Sequence, residues 1–446
     1  MATLQQASTV TGANKFSRLS VFYVLFLLFL VAVMNVCDRT IVAVLAEDIS
    51  RDLRLNDREM GLMMGLAFSI TYFAAGIPLA RLADKRSRRV VVAGALAFWS
   101  LMTLLAGVAQ NYLQLLLTRM GVGIGEAGGS PPSHSLITDY VDPGFRARAL
   151  SIIGIGAVVG MGLGTLYGGW AAQAHGWRWT LLSVGLPGLI LAALFLATVR
   201  EPMRRVDSLA PEDELAGASI GRVLSWLFRD RRFVLLACGA SLVSMVGLGK
   251  AFWEPTFLRR VYDMSAAQAG GWYFLISPLP GILGSYGLSL LTDRLARQNK
   301  RWYARIAGLS ALVSVPFSIA FYLLPATWRV GEFPVAFLFS IGASLVGGAW
   351  VPAISALAQS IAPPSARAVA AASWSMVASL GTGVGPLLVG DLNMRLQAAE
   401  GDGAIGYSLA VVAALSLIAF PLFMALSHAI AKRSGHRAGE DAVAST

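Results

Sequence analysis

The sequence predicts an all-α integral membrane protein, with twelve transmembrane helices arranged as two pseudo-symmetric six-helix bundles. Three observations lead there. The 446 residues are 56% hydrophobic and only 14% charged, where soluble domains carry roughly 25% charged residues. Twelve stretches of about 20 mostly apolar residues, the length that crosses a bilayer, begin near Leu19, Met60, Val90, Leu113, Ala149, Trp179, Phe233, Ala269, Ile306, Phe333, Ala368 and Ile405. The second half of the chain also repeats features of the first. A soluble enzyme is excluded by the first two observations alone.

Lys15 and Arg18 precede the first apolar run, but no short apolar core with a small-residue cleavage site follows. The run therefore reads as a retained first helix and not as a signal peptide. With the N-terminus inside, 25 of the 36 Lys and Arg residues fall in cytoplasmic segments, 8 in outer loops and 3 (Arg39, Arg119 and Lys250) within the membrane. This asymmetry is the positive-inside rule. The net charge of +11 then reflects topology and gives no reason to expect nucleic acid as a partner. Both termini are expected on the cytoplasmic side of a bacterial-type inner membrane.

The longest polar interruption, Arg200 to about Arg232, divides the helices six and six. The expected organisation is an N-terminal bundle over 1–199, a cytoplasmic linker over 200–231, and a C-terminal bundle with a short tail over 232–446. Within the linker, Ile220, Val223, Leu224 and Leu227 form an apolar helical stripe flanked by Arg222 and Arg229. Two readings fit that stripe, a short helix on the inner membrane surface and a plain linker turn.

The repeat is visible in the residues. Helix 2 opens on Asn56-x-x-Glu59-x-Gly61 and helix 8 on Ser265-x-x-Gln268-x-Gly270, both capping-box patterns. Asp84 and Asp293 follow those glycines at the same spacing, and each leads a basic cluster: Lys85, Arg86, Arg88 and Arg89 in one half, Arg294, Arg297, Lys300 and Arg301 in the other. "RARAL" (Arg146–Leu150) before helix 5 is echoed by "ARAVA" (Ala366–Ala370) before helix 11. Both helices are then glycine-rich, through Gly156, Gly160 and Gly164 and through Gly381, Gly383 and Gly385. Repeated halves with a site between them are how secondary transporters alternate access. Glycines at this spacing let helices cross closely, as plain packing or as pivots.

Gly123, Gly125 and Gly128 spell G-x-G-x-x-G, but no strand precedes them and no βαβ unit surrounds them, so the dinucleotide reading fails. No cofactor is expected. There is no nucleotide site and hence no expected use of ATP, and no His/Cys cluster for a metal. No nucleophile is matched by a base in the loops, so no catalytic residue is assigned. Cys37 and Cys238 lie inside apolar runs and read as free thiols behaving as small hydrophobes.

"ARLADKRSRR" (Ala80–Arg89) resembles the signature loop between helices 2 and 3 of the major facilitator superfamily, and "IGAVVGMGLGTLYGGW" followed by "HGWRW" resembles that superfamily's helix 5 region. Ala80 and Ser87 stand where the loop usually has glycine, and Thr165 where helix 5 often has proline. "NVCDRT", "GIGEAG" and "FWEPTFLRR" resemble the Spinster-like branch. That resemblance implies proton-linked movement of sphingolipids or lysolipids by alternating access. Related carriers of organic anions share the Asp-Arg pair in helix 1, so a small organic anion is the alternative cargo. The expected partners are membrane lipids, an amphipathic small molecule and protons; a monomer suffices.

A charge at the bilayer centre costs about 2.5–3.5 kcal/mol on insertion scales, so such residues face a cavity or a partner. Six are candidates here: Asp38, Arg39, Arg119, Glu126, Lys250 and Glu254. At about 1.5 Å per residue, Asp38 and Arg39 on helix 1 lie level with Arg119 on helix 4, and Glu126 lies about two turns from Arg119 on the same face. The expected network joins Asp38 to Arg119 and brings Arg39 within reach of Glu126. Asp38 and Glu126 are the proton-coupling candidates, Arg39 and Arg119 their partners or anion-holding groups; fixed ion pairs tying helix 1 to helix 4 are the plainer reading. Lys250 and Glu254 are four apart on helix 7, so they pair with one another or serve substrate from the cavity. His134, after Pro131 and Pro132, reads as a relay or as a histidine hydrogen-bonded at a kink. Phe68, Tyr72, Trp253, Trp350 and Trp374 are read as packing. The superfamily resemblance further implies a cytoplasmic gate of Asp84, Arg88, Asp139, Arg148 and Asp293, closed while the carrier faces out.

Overall fold

The structure, a computed structural model, describes residues 16–203, 220–363 and 366–444. Lys15, the linker residues 204–219 and the side chain of Asp84 lie outside what is described. The described chain is almost entirely helical, with one two-stranded hairpin of β1 (Arg329–Val330) and β2 (Phe333–Pro334).

The N-terminal half runs α1 (Arg18–Leu53), α2 (Asp57–Leu62), a π-turn Met63–Ala67, α3 (Phe68–Lys85), α4 (Arg88–Gly107), α5 (Tyr112–Ala127), α6 (Ser130–Tyr140), α7 (Arg146–Gly162), a π-turn Leu163–Tyr167 and α8 (Gly168–Thr198). The C-terminal half runs α9 (Ile220–Arg229), α10 (Arg231–Val261), α11 (Ala266–Ile276), α12 (Pro278–Gln298), α13 (Arg301–Leu323), α14 (Ala336–Gly347), α15 (Trp350–Ile361), α16 (Arg367–Glu400), α17 (Ala404–Ala414) and α18 (Ser416–Ala444). Nine helical runs among the described residues are long and apolar enough to cross a membrane. Two of them, Arg148–Thr198 and Ser373–Lys432, are 51 and 60 residues long, well beyond the roughly 30 Å of a hydrocarbon core at about 1.5 Å per residue. Each is broken inside by a glycine with positive φ, Gly176 at 82° and Gly401 at 56°.

The repeat reaches down to backbone conformation. Both capping boxes form, Asn56 with Glu59 and Ser265 with Gln268. Two residues ahead of each cap, Arg54 and Asp263 adopt left-handed φ of 54° and 53°, a region that non-glycine residues rarely occupy. The turn that reverses the chain after its first long helix is thus built the same way in both halves.

The halves meet at the end of the bundle away from the chain termini, where two glycines permit the contact. A β-carbon on Gly61 of α2 would stand 2.4 Å from the Pro386 carbonyl of α16, and one on Gly270 of α11 would stand 2.3 Å from the Thr165 carbonyl. These are equivalent positions of the repeat, and each allows backbone to touch backbone across the interface. The amphipathic stripe of α9 is turned inward. Val223 and Leu227 are buried against the C-terminal half with Phe233 and Leu236, because that surface offers apolar burial to the same residues a membrane would.

Candidate functional site

The charges of α1 and α5 meet inside the N-terminal half. Asn111 caps the start of α5, accepting from the Gln114 amide, and the helix stops at the Gly128–Gly129 break before Pro131 and Pro132. Between those points Gly123 lies against Phe68 and Thr71 of α3, and Gly125 against the backbone of Trp99 on α4. Glycine on these faces draws α5 in close, so that Arg119 and Glu126 are buried in the half's interior.

Arg39 donates from Nε to Glu126 Oε2 at 2.5 Å. Its guanidinium sits 4.8 Å from the Phe68 ring centre and 5.3 Å from that of Tyr72. Glu126 is wholly buried while Arg39 keeps 43% of its side chain exposed, so the arginine covers the carboxylate. The two aromatics read from sequence as packing are therefore cation-binding faces.

Asp38 is also 0% exposed, but neither of its oxygens has a hydrogen-bond partner. Arg119 Nε and Nη2, Glu126 Oε1, Trp99 Nε1 and Ser100 Oγ are likewise buried without one. The expected direct pairing of Asp38 with Arg119 is not formed. Sequence fixes the depth of the two groups but not their direction around each helix, and Asp38 turns toward Trp99 and Thr103 of α4.

In the C-terminal half Lys250 and Glu254 do not pair with one another. Lys250 Nζ donates to Ser318 Oγ at 2.9 Å and lies 5.7 Å from the Tyr322 ring centre. Glu254 Oε1 accepts from the Tyr322 hydroxyl at 2.5 Å. Ser318 and Tyr322 are themselves four apart on α13, so each charge takes a neighbour across the helix crossing. Trp253 donates from Nε1 to the Pro386 carbonyl at 2.8 Å, tying α10 to α16.

Sequence reasoning missed a clasp across the two halves at the end away from the termini. Arg260 of α10 donates to both carboxylate oxygens of Asp57, at 2.7 and 2.9 Å, and to Glu47 Oε2 at 2.8 Å. Arg259 donates to Asp48 at 2.6 Å, Asn393 of α16 donates to Asp57, and Arg58 stands 3.6 Å from Asp391. Asp57 and Glu47 are buried. The only signals for this were the Arg259-Arg260 doublet and the acidic end of helix 1, both of which look like ordinary loop charges.

At the end carrying the termini, Arg88 pairs with Asp139 and, at 3.0 Å, with Glu201. Arg88 and Asp139 belong to the N-terminal bundle, and Glu201 to the start of the linker that leaves it. Burial pushes the Glu201 carboxyl up, but the Arg89 amide, the Ser87 hydroxyl and Arg88 outweigh it and hold the group below the ordinary carboxylate range. Arg148 is exposed and lies over the Phe145 ring. Asp293, within reach of Tyr303 at 3.5 Å, is exposed. His134 is exposed on α6. Among the described residues no group of three or more His, Cys, Asp and Glu could hold a metal.

Comparison with known proteins agrees with this architecture. A family profile described as Major Facilitator Superfamily matches residues 28–386. The chain is similar to an MFS-type efflux pump of Mycolicibacterium smegmatis, 34% identical over 87% of this chain and 88% of that protein. It is similar also to protein spinster homolog 1 of Mus musculus, 30% identical over 87% of this chain and 76% of that protein. Among solved structures, it superimposes with a TM-score of 0.83 on a bacterial homolog of the human lysosomal transporter Spinster in an inward-facing, unoccupied conformation, at 26% identity, covering 94% of this chain and 99% of that one.

Proposed function

The chain belongs to the major facilitator superfamily, a family of secondary transporters, and from that premise we propose that it couples the movement of an amphipathic, lipid-like substrate to protons. The cargo is of sphingosine or lysophospholipid type. The carrier resides in a bacterial-type inner membrane, with twelve crossings and both termini in the cytoplasm. Residues 1–199 and 232–446 act as two bodies that rock about the substrate, joined by the linker 200–231.

The observation that carries the proton reading is Asp38. A carboxyl group that is 0% exposed and has no hydrogen-bond partner is poorly held as an anion and well placed to carry a proton. Glu126 is its counterpart, held by Arg39 on one oxygen only. When Glu126 takes a proton, its attraction for Arg39 falls, and the half-exposed guanidinium is released toward the space between the halves. A negatively charged head group arriving there competes for the same cation. Proton binding and substrate binding thereby act on one side chain.

On this topology the clasp of Arg260, Asp57 and Glu47 closes the outer side, and the molecule faces the cytoplasm. The Arg88, Asp139 and Glu201 set then joins the N-terminal bundle only to the start of its own linker, with Asp293 on the opposite body, as expected of an inner gate that is open. The cargo rests on the Spinster-like resemblance. The exposed cation Arg39 supports one second reading, a small organic anion. Purified carrier in proteoliposomes separates the two. Counterflow with lysophospholipid or sphingosine-type substrates, and none with small organic acids, supports the lipid reading; counterflow with acids alone overturns it.

A further inference from the structure

A cavity of about 250 Å³ lies inside the N-terminal half, between α1, α4, α6 and α7. Its walls include Asn35 of α1, Trp99 of α4, Ser133 and His134 of α6, and Ala157 of α7. All of its walls belong to the N-terminal half; neither buried carboxylate is among them, but two wall residues adjoin them. Trp99 borders the cavity and faces Asp38, while Asn35 borders it and faces Glu126. The exposed His134 stands on the side toward the chain termini.

Three observations bear on what fills it. The lining mixes an amide, two serine hydroxyls and an imidazole with aliphatic groups, and 250 Å³ has room for about eight waters at roughly 30 Å³ each. The unpartnered buried atoms Asp38 Oδ1 and Oδ2, Trp99 Nε1 and Glu126 Oε1 cluster beside it, and such atoms in native interiors are normally satisfied by water. One oxygen of Glu126 is covered by the Arg39 guanidinium flanked by Phe68 and Tyr72, which leaves the other free to meet water. Asp38, turned toward α4, is 0% exposed.

We propose that this cavity is a water-filled proton path from the cytoplasmic side to Asp38 and Glu126, lined by His134, Ser133 and Asn35. The inference rests on the proton-coupled reading above. It separates the proton's route from the substrate's, because the cavity lies within one half while the substrate space lies between two. The charged and titratable groups around Asp38 are Arg119, Glu126 and Cys37. His134 is a positioning residue at the mouth, since it stands apart from them on α6.

The test is a plug. Ala157→Leu fills the cavity, and Ser133→Ala removes one of its hydroxyls with little change of volume should the larger side chain impair folding. In proteoliposomes, substrate-dependent proton flux should fall at least tenfold in the plugged protein. Substrate counterflow, which needs no net proton movement, should stay within twofold of wild type. In a Cys37→Ala, Cys238→Ser background, Ala157→Cys should react within minutes with a small trimethylammonium thiosulfonate. Unchanged proton flux in both cavity variants, or an unreactive Ala157→Cys, would overturn the path. Flux and counterflow falling together would also overturn it, by showing a structural defect only. Wild-type proton flux in Asp38→Asn would instead overturn the coupling reading beneath it.

Discussion

Asp57 and Arg260, 203 residues apart, form a two-pronged ion pair at 2.7 and 2.9 Å that joins the two halves of the molecule. Both side chains are largely buried, and Glu47 and Asn393 complete the cluster. Removing one partner of a buried pair costs about 3–5 kcal/mol. A shift of about 5.5 kcal/mol inverts a two-state population from 1:99 to 99:1. Arg260→Gln should therefore move the carrier substantially toward an outward-open state. Spin labels across the clasp, read by pulsed dipolar spectroscopy, should show a longer distance becoming the major one. An unchanged distance distribution would remove the clasp from the account.

Neighbouring glycines of α11 give an internally controlled comparison. A β-carbon on Gly270 meets the Thr165 carbonyl at 2.3 Å, whereas one on Gly271 meets nothing within 4 Å. Alanine is favoured over glycine in a helix by about 1 kcal/mol, so Gly271→Ala should leave the melting temperature unchanged or raised. Gly270→Ala should lower it and should open the side closed by the clasp to cysteine reagents. Equal behaviour of the two variants would contradict the close crossing.

How legible the site was in the sequence depends on the residue. Arg39 and Glu126 were within reach of one another on helix depth alone, because charges this deep have few alternatives. Depth gave no azimuth, so Asp38 and Arg119 were expected to bond and do not. The spacing of Lys250 and Glu254 placed them on one face, but Ser318 and Tyr322 of α13 supply nearer partners that a single helix cannot announce. In the sequence Phe68 and Tyr72 read as packing, because aromatics on membrane helices usually are; only the position of the Arg39 guanidinium gives them another task. The clasp was invisible, since carboxylates and arginines at helix ends are what any loop carries. The repeat, by contrast, was written in the capping residues. The matching backbone turns at Arg54 and Asp263 follow from it.

Glu201 gives a pH dependence whose sign is fixed. Its carboxyl is held below the ordinary carboxylate range, so its stabilising contribution is present above the unfolded-state value, about 4.3. The contribution is lost as the pH falls through the lower folded value. Glu201→Gln should lower the melting temperature by the same amount across about pH 5 to 8, and the gap should close below about pH 4. A gap that widens on acidification would contradict the assignment.

Lys250 has Ser318 and the Tyr322 ring as its supports, and we propose that it holds anionic head groups. Lys250→Gln should weaken apparent affinity for anionic substrates about tenfold, near 1.4 kcal/mol, and leave cationic ones within about twofold. Competition assays with matched head groups measure this directly. Equal loss for both would assign the lysine to structure.

Whether Asp38 carries the coupled proton is decided by comparing two proteins. Wild type and Asp38→Asn are reconstituted under an imposed pH gradient with an internal pH dye, with empty liposomes as the control for lipid damage. Substrate-dependent proton flux is expected in wild type and its loss in Asp38→Asn, with substrate counterflow retained. Proton flux at the wild-type rate in Asp38→Asn would contradict it.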